Sequence, residues 1–214
     1  YEAKVETSVC FSALNSIRGN LGPNFDAHSL PYLFPSRYAQ SDRLRAVSND
    51  MFGGIQGDYA RVLAIEDWIH HHISYQAGSS NEQSSALNTL ESRSGVCRDF
   101  AHLGIALCRA MTIPARYITA YAYQLEPQDF HAAFEAYIDG TWYVFDATRL
   151  APLNGLVKIA AGRDASDAAV ATLFGNISGQ GMQVNVQLDG DSPDNFVPVT
   201  RNSLQNEGQV LFLV

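Results

Sequence analysis

A chain of 214 residues with 46% hydrophobic and 11% aromatic side chains can bury one sizeable core, which excludes a disordered polypeptide and favours one main domain with appendages. Its 14 basic and 22 acidic residues give a net charge of −8 with no basic stripe, which argues against nucleic acid or anionic membrane as the main partner. No apolar run approaches the ~20 residues of a membrane span and no charged start leads into a signal-like apolar core, so no membrane insertion is expected.

In chain order, Tyr1 to Val9 alternates apolar and polar residues and predicts a half-buried strand. Asn15 to Pro35, punctuated by Gly19, Gly22, Pro23 and Pro31, predicts loop. A short helix is expected after Ser41 or Asp42, with Leu44, Val47 and Met51 inward, ending at Gly53-Gly54. A second, from about Asp58 to Ile73, places Tyr59, Val62, Ile65, Trp68 and Ile69 on one side. His70, His71 and His72 close it. Adjacent helical residues point in different directions, so three consecutive imidazoles cannot converge on one metal ion, and a solvated helix end is the expected role. Gly78 to Ser85 predicts a polar loop, followed by one or two helical turns over Ser85 to Leu90.

At Ser94-Gly95-Val96-Cys97-Arg98-Asp99-Phe100-Ala101 a polar loop turns into a strongly apolar helix. Phe100, Leu103, Leu107 and Met111 recur at spacings of three and four until Pro114. Gly95 permits the sharp entry and Ser94 is the expected cap. Cys97 then lies in the first turn, where unpaired N–H groups and the helix dipole favour a thiolate, the nucleophilic form. A free cysteine is more often a small buried hydrophobe, so the assignment depends on a histidine and a carboxylate reaching the same point. Cys10, Cys97 and Cys108 show no Cys-x-x-Cys spacing, which argues against a zinc cage. Cys97 and Cys108 would stand about 16 Å apart along a straight helix, too far for a disulfide. Cys97 reads as a free thiol of a reducing, cytoplasmic compartment, and neither metal nor cofactor is expected.

Ala115 to Tyr123 predicts a strand with Tyr117, Thr119, Tyr121 and Tyr123 on one face. The run His131 to Ile138, then Asp139-Gly140, then Thr141 to Asp146 carries the strongest short hairpin signal. A two-residue turn sets Ile138 opposite Thr141, Tyr137 opposite Trp142 and Ala133 opposite Asp146. His131 and Asp146 then share a face as diagonal neighbours, about 7–8 Å apart at the backbone and within side-chain reach. Singly, each is more often an ordinary hydrogen-bonded or turn residue. With Cys97 they form the leading site. His102 lies five positions beyond Cys97, about 140° around the helix, and is a poor base for it.

Beyond Asp146 a weakly helical patch is expected between Lys158 and Gly175, with Asp164 and Asp167 as turn or cap residues. Met182, Val184, Val186 and Leu188 alternate as an amphipathic strand; Asp191 to Asn206 predicts loop and Val210 to Val214 a last strand. The Asn176-Ile177-Ser178 sequon carries no weight.

The blocks Gly95-Val96-Cys97-Arg98-Asp99-Phe100-Ala101, Ile113-Pro114-Ala115-Arg116-Tyr117, His131-Ala132 with Glu135, and Trp142 and Asp146 with Thr148 resemble those of bacterial members of the transglutaminase-like superfamily, a group that includes cysteine proteases. The resemblance runs from Pro31 to Asp164. It implies an α+β, papain-like core, with the nucleophile at the N-terminus of a central helix packed on an antiparallel sheet that supplies His and Asp. It further implies a preceding β-rich region, of which residues 1–40 would be the remnant; 41–175 would be the catalytic core and 176–214 C-terminal strands and loop. Ala133 stands where many relatives have Trp, which would reshape the site, and Ala147 where many have Pro. The expected function is amide or peptide hydrolysis of a protein or peptide substrate through an acyl-thioester, with Cys97 as nucleophile, His131 as base and acid, and Asp146 orienting His131. The alternatives are transfer of the acyl group to an amine and a catalytically silent binding domain. The second oxyanion donor is not visible, Gln83 being a candidate only as an upstream amide.

Overall fold

The computed structural model describes residues 2–17, 26–172, 174–176, 178, 181–189 and 196–213. Its centre is a four-stranded antiparallel sheet in the order β6-β5-β4-β7, formed by β4 (Ala115–Ala122), β5 (Phe130–Ile138), β6 (Thr141–Phe145) and β7 (Leu156–Gly162). One face packs on the helices. The other is covered by the end of the chain. This is the α+β, papain-like arrangement the residue blocks imply.

The helical layer comprises α1 (Ser41–Phe52), α2 (Asp58–His72), α3 (Ala86–Ser92) and the central α4 (Cys97–Ala110). All residues of α4 from Asp99 to Ala110 are buried, as expected of a helix that is apolar nearly all round. It lies close on β5: a Cβ added at Gly104 would come within 2.5 Å of Phe134 Cε1, and Phe134 is itself fully buried against Phe145. Gly104→Ala is therefore expected to lower stability in a denaturant titration. Overpacking costs about 1–3 kcal/mol, which exceeds the roughly 1 kcal/mol that Ala gains over Gly in helix propensity. An unchanged midpoint would show that the ring yields freely.

The other face carries Ile118, Ala120, Ala133 and Val144, closed over by Leu204 and Leu211. These come from α5 (Arg201–Glu207) and β8 (Gln209–Leu213), and β8 pairs antiparallel with β1 (Val9–Ala13). A parallel pair of two-residue strands, β2 (Ser74–Tyr75) and β3 (Ser94–Gly95), leads into α4.

Several sequence expectations are corrected. Residues 2–8 are exposed and unpaired by any strand, the first strand beginning at Val9; Tyr1 lies outside the described residues. Residues 18–25 of the expected loop also lie outside them, and the rest contains two short 3-10 turns, Leu14–Ser16 and Leu30–Leu33. In α1 it is Ser48, not Val47, that turns inward, its Oγ donating to Leu107 O at 2.9 Å while Val47 is exposed. The patch expected to be weakly helical begins instead with β7. Residues 181–189 form no strand and join no sheet. The Gln128 side chain meets their backbone instead, accepting from Val186 N at 2.7 Å and donating to Val186 O at 3.1 Å. The expected loop before the last strand contains α5, capped by Thr200 and Ser203; residues 191–195 and Val214 are outside the described set.

Candidate active site

Cys97 is the first residue of α4, preceded by Val96 in extended conformation. The cap is not Ser94, which pairs with Ser74 in the β2–β3 ribbon. Asp99 reaches back instead, its Oδ2 accepting the Val96 N–H at 2.9 Å. Gly95 makes room for this turn, because a Cβ there would lie 2.6 Å from Asp99 Cβ. The hydrogen bonds of the first turn run from Asp99 N and Phe100 N to Val96 O, leaving the Cys97 N–H to another acceptor. Arg98 ties this end of the helix to the preceding loop through Asn81 O.

The hairpin folds in the predicted register, Ile138 opposite Thr141 and Tyr137 opposite Trp142. Asp139 (φ 50°) and Gly140 (φ 86°) both adopt the left-handed conformation that a tight two-residue turn requires. Asp146 follows β6 directly and His131 is the second residue of β5. Their side chains meet: His131 Nε2 donates to Asp146 Oδ2 at 2.8 Å, both residues being 2% exposed. The imidazole also interacts with the Cys97 side chain. Cys97, His131 and Asp146 are thus brought together from α4, β5 and the end of β6.

The electrostatics of the pair follow from opposing causes. Burial alone would push the His131 imidazole down, but the Asp146 charge and hydrogen bond, with smaller contributions from Cys97, carry it up to about 10. Burial would raise Asp146, yet its His131 partner and the Thr148 hydrogen bonds hold it below the usual carboxylate range. Asp146 Oδ1 accepts from Thr148 Oγ1 at 2.7 Å and from Thr148 N at 3.0 Å.

Behind Asp146 lies a buried network that the sequence did not disclose. Glu66 of α2 accepts the Asp146 N–H on Oε1 at 2.9 Å. Arg201 of α5 approaches it with Nε at 2.6 Å from Oε2 and donates through Nη2 to Oε1 at 3.1 Å. The first approach is a close charge contact off the line of a good hydrogen bond, since neither atom finds a hydrogen-bond partner. Arg201 also donates to Val144 O at 2.8 Å and lies over the Phe145 ring. One signal was present: Glu66 sits four residues after Val62, on the apolar stripe of α2, where a carboxylate has to be partnered.

The other titratable candidates lie elsewhere. His102 is fully buried; burial lowers it to about 3, and its Nε2 accepts Ala165 N–H at 3.1 Å. It remains neutral, stacked on Tyr38. Cys108 is buried too, which pushes its thiol up, whereas Cys97 is only half-buried; all three cysteines are free. His70, His71 and His72 turn their Nδ1 atoms to three different carbonyls, of Ala147, Asp67 and Trp68. Asp164 closes a turn on Ser166 and accepts Tyr38 N–H, and Asp167 pairs with Arg163. Gln83 is exposed in the 81–84 turn, its N–H on Asn81 Oδ1. Ala133 is buried, paired with Ile118 across the sheet. Among the described residues no group of His, Cys, Asp or Glu is arranged to hold a metal ion, and no helix is long and apolar enough to cross a membrane.

The fold, a buried helix headed by a thiol and packed on an antiparallel sheet, is of the papain-like α+β class. Residues 45–147 match the family model of the transglutaminase-like superfamily. The crystal structure of a candidate cysteine protease from Cytophaga hutchinsonii is 51% identical, with a TM-score of 0.89 over 96% of this chain and 70% of that one. An uncharacterized protein of Mycobacterium leprae is 33% identical over 130 residues, 56% of this chain and 45% of that protein. Human kyphoscoliosis peptidase is 27% identical over 130 residues, 54% of this chain and 19% of the peptidase. This chain belongs to the transglutaminase-like superfamily, and it spans less than half the length of the mycobacterial and human relatives.

Proposed function

We propose that the protein is a cysteine-dependent amide or peptide hydrolase whose catalytic residues are Cys97, His131 and Asp146. The observation that carries this is the buried His131–Asp146 pair set beside a half-buried thiol at a helix N-terminus. With His131 already holding its proton, as its raised value requires, the Cys97 sulfur attacks the carbonyl carbon as a thiolate. The carbon–nitrogen bond then breaks and His131 returns the proton to the leaving amine. Water, deprotonated by the same imidazole, releases the acid from the thioester. Asp146 orients the ring and stabilises its cationic form. The names of the Cytophaga and human relatives support a protein or peptide substrate, and the free thiols support a reducing, cytoplasmic location.

The test is incubation with peptide and ester substrates, with and without a labelled primary amine, using Cys97→Ala as control. Cleavage in the wild type and none in Cys97→Ala is expected. Amine incorporation exceeding hydrolysis would replace the hydrolase by an acyltransferase. If no substrate turns over and iodoacetamide modifies Cys97 no faster than a free model thiol at pH 6, a silent binding domain is the better description.

A further inference from the structure

Acyl transfer at Cys97 develops a negative oxygen beside the nucleophile's own backbone N–H. A donor aimed at such an oxyanion contributes about 10²–10³ in rate. The Cys97 N–H is one donor. Two phenols lie near the sulfur and are candidates for the other. Tyr117 of β4 is 5% exposed and packs against His102 in the core, away from any carbonyl arriving from solvent.

Tyr75 is differently placed. It is 47% exposed, and the β2–β3 pairing sets it opposite Gly95, two residues before the nucleophile. Its ring packs against Phe100, one helical turn beyond Cys97, with centroids 5.9 Å apart. Its hydroxyl contacts both the Cys97 N–H and the Cys97 thiol. The strand register opposite Gly95 and the ring contact with Phe100 therefore hold the half-exposed phenol beside the first turn of α4, next to Cys97. The ribbon is held on either side of Tyr75, Ser74 N donating to Arg93 O at 2.8 Å and Gln76 N to Gly95 O at 2.9 Å.

We infer that Tyr75 is the second oxyanion donor, its hydroxyl leaving the Cys97 N–H as the acyl oxygen arrives and donating to that oxygen beside it. The inference rests on the hydrolase reading. Burial, then the neighbouring Cys97, raises the phenol to about 12, so across the neutral range it keeps the proton it must share. Neither an aromatic run nor a helical period marks the residue in the sequence; only the two-strand ribbon brings it to the sulfur.

Tyr75→Phe removes the hydroxyl and keeps the ring on Phe100. For a substrate the wild type cleaves, kcat is expected to fall about 100-fold, with KM little changed. A small peptide aldehyde adds to the Cys97 sulfur as a hemithioacetal whose oxygen takes the oxyanion position. Its affinity is expected to fall in parallel, and this arm needs no turnover. Alkylation of Cys97 by iodoacetamide forms no oxyanion and should change little, as should the melting temperature. Undiminished kcat or aldehyde affinity in Tyr75→Phe would overturn the inference, and so would a loss shared equally by alkylation, which would place the phenol's effect on the sulfur. Wild-type activity that survives Cys97→Ala would instead remove the hydrolase reading itself.

Discussion

Replacing Asp146 by Asn is expected to bring the His131 imidazole from about 10 to below its ordinary 6.5. Burial pushes the ring toward neutrality, and the Asp146 charge is the largest cause opposing it. Asparagine keeps the shape of the side chain but not the charge, so burial then prevails. Loss of a positioned acid–base group costs about 10²–10⁴-fold, and kcat is expected to fall within that range. A titration of the His131 ring by NMR in wild type and Asp146→Asn, both carrying Cys97→Ala, reads the shift without turnover.

The same pair carries a stability signature. His131 has a raised folded value, so its contribution is complete below 6.5 and is lost as pH rises through about 10. Asp146 has a lowered one, so its contribution is present above 3.8 and is lost as pH falls below it. The stability difference between wild type and Asp146→Asn should be widest between 3.8 and 6.5 and close on either side. A difference independent of pH would show that packing, not charge, holds the two residues together.

Arg201→Ala is expected to produce the largest loss of stability. It leaves Glu66, fully buried, without the cation 2.6 Å away. Breaking one side of a buried ion pair costs about 3–5 kcal/mol, and in a chain of this size each kcal/mol lowers the melting temperature by roughly 2–4 °C. A drop of roughly 6–20 °C by calorimetry follows. Arg201→Met combined with Glu66→Gln should recover most of it, because a buried pair replaced on both sides is often neutral, and Gln still accepts the Asp146 N–H. Failure of the double variant to recover would assign the loss to packing around α5.

The parts legible in the sequence were those with local signals of high specificity. Asp139-Gly140 fixed both turn and register, and the register alone predicted that His131 meets Asp146. The apolar period from Phe100 onward marked α4. What escaped lacked a local signal or carried a misleading one. In α5 only Leu204 is apolar, so no period exists and the helix depends on its Thr200 cap and on tertiary contacts. β7 ends in Ala160-Ala161-Gly162, residues with weak strand preference, and is an edge strand held by β4. Residues 182–188 alternate cleanly, but alternation needs a neighbouring strand, and a glutamine side chain stands in its place. Val47 and Ser48 compete for one inward position of α1, and the smaller residue wins because its hydroxyl reaches a helix carbonyl. Tyr75 and Glu66 matter through partners remote in the chain, which no local pattern encodes.

The strand and helix at the end of the chain set the size of the smallest piece worth expressing. A fragment trimmed to residues 45–147 would begin life with an orphaned Glu66 beneath Asp146, and Ile118, Ala133 and Val144 would be bared to water where Leu204 and Leu211 now shield them. Such a truncation would keep the three residues of the proposed chemistry in its sequence and lose the foundation that aligns them. Recombinant work on this protein therefore has to carry the polypeptide through Leu213, with β1 retained to occupy the outer edge of β8.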